Sequence, residues 1–194
     1  MANFHLYSEA YLEQIQFTKS DLIVEIGSEN GEGSTAYFDA VAKDKQVDFY
    51  SVDVVDNAKN KCSHLEHTNW VICESGSKWA DEQLPLLDKK IRLLYLDNYD
   101  WLHNTKSPDP KIVADYNSRG IAVSNLSCQQ EHLLQMIKCL PYMHDNSMII
   151  CDDTPFQEHS GIYIGKCGAV IPYLLSYGYE IVKSGDNGVI LVRK

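Results

Sequence analysis

Seven short apolar runs punctuate the chain: Asp21 to Ile26, Val47 to Asp53, Asn69 to Cys73, Ile91 to Asp97, Asn146 to Asp153, Tyr179 to Lys183 and Val189 to Arg193. The early runs are continuous rather than alternating, as expected of strands covered on both faces. Between them the apolar residues change to helical spacing. Tyr37, Phe38 and Val41 mark a helix over 34–43, and Asp56 can cap another that runs to about Leu65. Trp79 falls on a helix after Ser77, and Ser127 to Gln130 reads as a capping box opening a helix that carries Leu133, Ile137 and Leu140 to Pro141. Pro172 and Gly178 bracket a helix over 168–177. Leu6, Ala10, Tyr11 and Ile15 predict an N-terminal helix over 7–17, within a segment 1–20 that packs on the sheet edge.

Strands alternating with helices imply a parallel sheet, but the last two runs are joined by only Ser184 to Gly188, too short for a crossover. The expected fold is therefore α/β: a doubly wound, mostly parallel seven-stranded sheet with an antiparallel C-terminal hairpin strand and helices on both faces. One domain spans 1–194. Two polar stretches interrupt this order. Residues 102–122, with Pro108, Pro110, Asn117 and Gly120, predict a loop with one helical turn near 111–116, and 154–166 predicts a second loop. Both leave the rim formed by the C-terminal strand ends, so they are expected on the substrate side.

Candidate chemistry concentrates where the first strand ends, in Glu25-Ile26-Gly27-Ser28-Glu29-Asn30-Gly31-Glu32-Gly33-Ser34-Thr35. Strand, glycine turn and helix start bring free N–H groups and closely approachable backbone to one place. The spacing G-x-x-x-G-x-G differs from the dinucleotide fingerprint G-x-G-x-x-G, and Glu25 would repel a pyrophosphate. A ligand carrying an ammonium and hydroxyls suits it better. Asp53, ending the second strand on the same rim, can accept from ribose hydroxyls or serve as a loop acid.

Composition is that of an ordinary globular chain, with 44% hydrophobic and 23% charged residues. A net charge of -10 is expected to argue against nucleic acid as the main partner. The six cysteines lack any C-x-x-C pair, which reads as reduced core thiols in a cytoplasmic protein. No apolar run approaches the ~18 residues of a membrane span, so no membrane partner is expected. A small-molecule acceptor is the expected partner, and a homo-oligomer is left open.

The string around the glycine turn resembles the first motif of Rossmann-like (class I) S-adenosylmethionine-dependent methyltransferases, and the order of elements over 20–194 is similar to theirs. The resemblance implies that S-adenosylmethionine is the cofactor. It places Glu25, Gly27, Ser28, Gly31, Gly33, Ser34 and Asp53 around the methionyl and ribosyl parts, with Asp97 beside them. Gly76 and Ser77, after the third strand, become candidates for adenine contact, although Ser77 also suits a helix cap.

Asp97 and the pair Asp152-Asp153 end the fourth and fifth strands, expected neighbours about 4.8 Å apart. At ~4 Å and an effective dielectric of ~20, each pair of like charges costs on the order of 4 kcal/mol, so a cation or a raised pKa must compensate. An all-oxygen set favours a hard divalent ion, Mg²⁺ first. The arrangement resembles the catechol and macrocin-type O-methyltransferases, which implies Asp97, Asp152 and Asp153 as metal ligands and methyl transfer to a small hydroxylated acceptor. Asp153 stands where the catechol type carries Asn, and Asp100 where its catalytic Lys would be. Asp100, His103 and His159 are therefore the candidate bases, with Lys106 as a further loop alternative. Solvated acids without metal remain open, as do two other functions: a nucleotide-dependent oxidoreductase and an inert cofactor-fold domain that binds a partner.

Overall fold

The computed structural model describes residues 4–99, 101–102, 109–185 and 187–193. Its sheet runs through β1 (Asp21–Ile26), β2 (Asp48–Asp53), β3 (Thr68–Ile72), β4 (Lys90–Leu96), β5 (Met143–Asp152), β8 (Tyr179–Gly185) and β9 (Gly188–Arg193) in the order β3-β2-β1-β4-β5-β9-β8. The first five strands pair in parallel, and β9 pairs antiparallel with both β5 and β8. This is the doubly wound sheet with an antiparallel terminal strand that the apolar runs predict. A small separate hairpin, β6 (Phe156–Gln157) with β7 (Ile162–Tyr163), lies within the expected loop 154–166.

Residue alternation along the strands divides the core between two faces. Leu22, Val24 and Ile26 of β1 meet Trp79 and Ala80 of α4 (Gly76–Glu82), Met136 of α6 (Asn125–Cys139) and Leu174 of α7 (Val170–Ser176). Ile23, Leu93 and Tyr95 face the other way, onto Phe38 and Ala42 of α2 (Ser34–Lys45) and onto Phe4 and Leu12 of the N-terminal segment. Fully burying a side chain such as Phe38 contributes about 1.5–3 kcal/mol, so both faces are held by the same effect.

Four boundaries differ from expectation. The N-terminal helix is only α1 (Glu9–Leu12), entered from a 3₁₀ turn over Phe4–Ser8. Phe4, His5, Ser8 and Leu12 are its buried positions, whereas Leu6 is 49% exposed. The stretch read as mostly loop contains α5 (Pro110–Ser118), started by Asp109, whose carboxylate accepts from the Lys111 N–H at 2.8 Å, and by Pro110 in its first turn. The capping box of α6 is formed by Ser124 and Ser127, so the helix begins earlier than the Ser127 motif suggests. Between β2 and β3 the helix α3 (Asn57–Lys61) is likewise shorter than expected.

Candidate active site

Above the C-terminal strand ends lies a cavity of about 960 Å³. Of the sequence-derived candidates, Gly27, Gly33, Ser34, Asp53, Asp97, Asp152 and Asp153 line it together. The glycine turn forms its floor because the backbone there is committed to shapes that only glycine adopts readily. Gly27 has φ +99°, and a Cβ on it would stand 2.5 Å from the Asp97 carbonyl. The turn is thereby packed directly on the end of β4. Gly33 has φ +83° and opens α2 without a side-chain cap, which leaves the first N–H groups of that helix facing the cavity rim.

The other candidates support this floor from outside the cavity lining. Glu25 is fully buried beneath the turn, where its Oε2 accepts from Thr35 Oγ1 at 2.7 Å and Ser51 Oγ at 2.8 Å. Burial pushes its carboxyl up to about 7 against the hydrogen bonds of Ser34, Thr35 and Ser51. Ser28 is spent on Asp53: its N–H and hydroxyl donate to Oδ2 at 2.8 and 2.9 Å, while the N–H groups of Val54 and Val55 donate to Oδ1 at 2.6 and 3.2 Å. Asp53 thus stands in the place expected for ribose but with four donors already on its two oxygens. Gly31, at φ +75°, packs against Cys62 and Ala58, and a Cβ on Gly76 would meet Ile26 at 2.3 Å. Ser77 donates through its N–H and hydroxyl to Glu131 of α6, both at 3.0 Å. Gly76 and Ser77 therefore join helices, and neither lines the cavity.

The acidic rim is compensated by lysine. Lys166 Nζ lies 2.5 Å from Asp97 Oδ1 and 3.1 Å from Asp153 Oδ2, with its side chain 11% exposed. Asp152 is engaged elsewhere, accepting at Oδ2 from the Tyr95 hydroxyl and at Oδ1 from the Asp153 N–H at 2.9 Å. Among the described residues, no three His, Cys, Asp or Glu side chains are grouped to hold a metal ion. The expected Mg²⁺ ligand set of Asp97, Asp152 and Asp153 is corrected accordingly: the residues do not fit a divalent ion, since an ammonium already bridges two of the three carboxylates. The need for a cation was read rightly, but its source lies at the far end of the 154–166 loop.

That loop returns because its ends are tied together. Lys166 N–H donates to the Asp153 carbonyl at 3.0 Å, and Cys167 N–H to Thr154 Oγ1 at 3.1 Å. Gly165 has φ +87°, and a Cβ there would stand 1.8 Å from the Asp153 oxygen, so only glycine permits the closure that delivers Lys166. Among these charges, burial and the Asp152 and Asp153 carboxylates push Asp97 up to about 7 although Lys166 pulls it down. Burial, with the Asp97 and Asp152 carboxylates, keeps Tyr95 a neutral phenol, and Asp97 and Asp153 hold Lys166 charged despite its burial.

Of the proposed bases, His159 is exposed on the turn of the β6–β7 hairpin and does not line the cavity, while Asp100, His103 and Lys106 lie outside the described residues. Several residues at the site were missed. Tyr95 of β4 does not line the cavity but donates to Asp152 behind it, and period-two alternation would have put it on one face with Asp97, just past the strand end. Tyr99, at φ +54°, meets Tyr116 of α5 with ring centroids 5.2 Å apart, and Asp115 and Arg119 pair at 3.0 Å beside them. His5, from the N-terminal turn, also lines the cavity. No periodicity or motif singles it out.

No family model matches the chain, and no curated protein does. Solved structures do. An rRNA methylase from Streptococcus thermophilus superposes with a TM-score of 0.57 at 13% identity, covering 100% of this chain and 98% of its own. SMU.1697c from Streptococcus mutans, in complex with S-adenosylhomocysteine, gives 0.58 at 10% identity over 100% and 99%. The N-methyltransferase NodS from Bradyrhizobium japonicum, also with S-adenosylhomocysteine, gives 0.53 at 10% identity over 98% and 87%. The first of these overturns the expectation that acidity rules out a nucleic-acid partner. A fold that serves an rRNA methylase is compatible with such acceptors, and whole-chain charge does not report the local surface that would meet one. All six cysteines are free, and among the described residues no helix is long and apolar enough to cross a membrane. The resemblance to catechol and macrocin-type enzymes gains no support from these likenesses, which establish the fold as that of the class I S-adenosylmethionine-dependent methyltransferases.

Proposed function

We propose that the chain is an S-adenosylmethionine-dependent methyltransferase that methylates an acceptor hydroxyl, with Lys166 in the place where related chemistry uses a metal. The observation that carries this reading is the charge of the cavity. Seven carboxylates, from Glu29, Glu32, Asp53, Asp97, Asp115, Asp152 and Asp153, line it against Arg119 and Lys166. Arg119 is paired with Asp115, and Lys166 with Asp97 and Asp153. A dinucleotide's pyrophosphate would find repulsion there, whereas the sulfonium and ammonium of S-adenosylmethionine would find complementary charge.

In methyl transfer the S–CH₃ bond breaks as the O–CH₃ bond forms in line, and the hydroxyl proton must leave. An ammonium has three N–H donors; Lys166 directs two at carboxylates and makes only a long 3.5 Å contact to the Asp97 carbonyl besides. The donor on that weak contact can turn to the oxygen on which negative charge develops. The neighbouring carboxylates are placed to take the proton, and the enzyme's remaining contribution is alignment. Isothermal titration tests the reading. S-adenosylmethionine should bind at one site, equally well in EDTA, and NADH should give no heat. Binding of NADH without S-adenosylmethionine would transfer the site to an oxidoreductase, and binding of neither would leave an inert domain.

A further inference from the structure

His5 combines three properties that its packing role does not explain. It is 4% exposed, it lines the cavity, and among the described residues its imidazole makes no hydrogen bond. The ring is held by aromatic neighbours, with centroids 5.3 Å from Tyr37, 6.1 Å from Phe38 and 6.3 Å from Tyr95. The backbone is pinned as well, since Ser8 Oγ donates to the His5 carbonyl at 2.5 Å. A polar ring so fixed on the cavity wall has its hydrogen-bonding capacity free for whatever enters the cavity.

Its orientation indicates what. The nearest atom to a Cβ built on Gly33 is His5 Cε1, at 3.9 Å. Cε1 lies between the two ring nitrogens, so the imidazole presents its polar edge toward the glycine turn. Gly33 is also the uncapped residue that opens α2, a twelve-residue helix whose first N–H groups and dipole favour negative charge. Ser34 lines the cavity at the same spot. An imidazole N–H and uncapped helix N–H groups are all donors, and they share the wall of a cavity in which seven carboxylates outnumber Arg119 and Lys166, both already paired with acids.

We propose that His5 and the N-terminus of α2 form a carboxylate site, and that His5 is a binding residue for the amino-acid carboxylate of the cofactor. The proposal rests on the methyltransferase reading and adds a ligand contact from the N-terminal segment. Burial favours the neutral ring, lowering His5 to about 4, so in the empty site it acts as a hydrogen-bond donor rather than a cation. The site also accounts for how one acidic cavity can take a zwitterion. Carboxylates meet the sulfonium and ammonium, and this one corner meets the opposite charge.

The test compares two probes by isothermal titration: S-adenosylhomocysteine, which has the carboxylate, and 5′-methylthioadenosine, which lacks the amino-acid part. In His5→Ala the affinity for S-adenosylhomocysteine should fall about tenfold, as expected for one lost hydrogen bond to a charged group, with 5′-methylthioadenosine unchanged. His5→Asn, which keeps a donor, should recover part of the loss and guards against a variant that fails to fold. Unchanged affinity for S-adenosylhomocysteine in His5→Ala overturns the assignment. So does an equal loss for both probes, because that pattern belongs to a packing role. Failure of the wild-type protein to bind either probe would instead overturn the methyltransferase reading, and this inference with it.

Discussion

Replacing Lys166 by alanine should cost on the order of 2–4 kcal/mol of stability at neutral pH, because it leaves Asp97 and Asp153 without the ammonium that bridges them. The lower part of that range is favoured by water, which reaches Asp153, 40% exposed, more readily than Asp97 at 26%. Two further responses follow from the same cause. Lowering the pH should shrink the loss, since protonated carboxyls no longer repel. Millimolar Ca²⁺ or Mg²⁺ should raise the melting temperature of the variant but not of the wild type, because only the variant offers an uncompensated acidic cluster. Urea unfolding at neutral and mildly acidic pH, with and without the ions, measures all three. Equal stability of variant and wild type, or equal stabilisation of both by the ions, would show that Lys166 does not hold this rim together.

Glu25 should make the fold less stable as pH rises. Its folded carboxyl is raised by burial from the ordinary 4.5 to about 7. Between those values the folded chain holds a proton that the unfolded chain has released, so stability is fullest below the unfolded value and declines as pH rises through the folded one. The total is about 3 kcal/mol for a shift of this size. Asp97 is raised in the same direction and adds to the slope. Comparing wild type with Glu25→Gln isolates the first contribution, since the amide can still accept from Thr35 and Ser51 but cannot ionise. The wild-type curve of unfolding free energy should fall from mildly acidic to mildly alkaline pH more steeply than that of the variant. Parallel curves would mean that Glu25 ionises as freely in the folded chain as in the unfolded one.

Glu25 and Lys166 also mark how much of the site was legible in the sequence. Strands and their order were readable because continuous apolar runs and a five-residue link between the last two strands leave few topologies. The acids at the strand ends were readable for the same reason, and Asp53, Asp97, Asp152 and Asp153 all line one cavity. Which way a side chain turns was not readable. Glu25 alternates onto the α2 face and is absorbed by Thr35 and Ser51, and Asp53 closes on Ser28. These outcomes depend on hydroxyls brought near by tertiary packing. Lys166 was hidden for a different reason, since it stands thirteen residues beyond Asp153 and returns only through the loop closure at Gly165. Pro110 pointed two ways, as a loop residue and as the first residue of a helix, and the Asp109 cap decides for the helix. Local chemistry could have favoured α5, whereas nothing local could have placed His5.

The cavity over the glycine turn is expected to hold S-adenosylmethionine. A crystal structure with S-adenosylhomocysteine tests it most directly. The ligand should lie along Gly27 to Ser34, with its ribose over Asp53 and its sulfur toward Asp97. Density for the ligand at another surface, or none in crystals grown at saturating ligand, would contradict it.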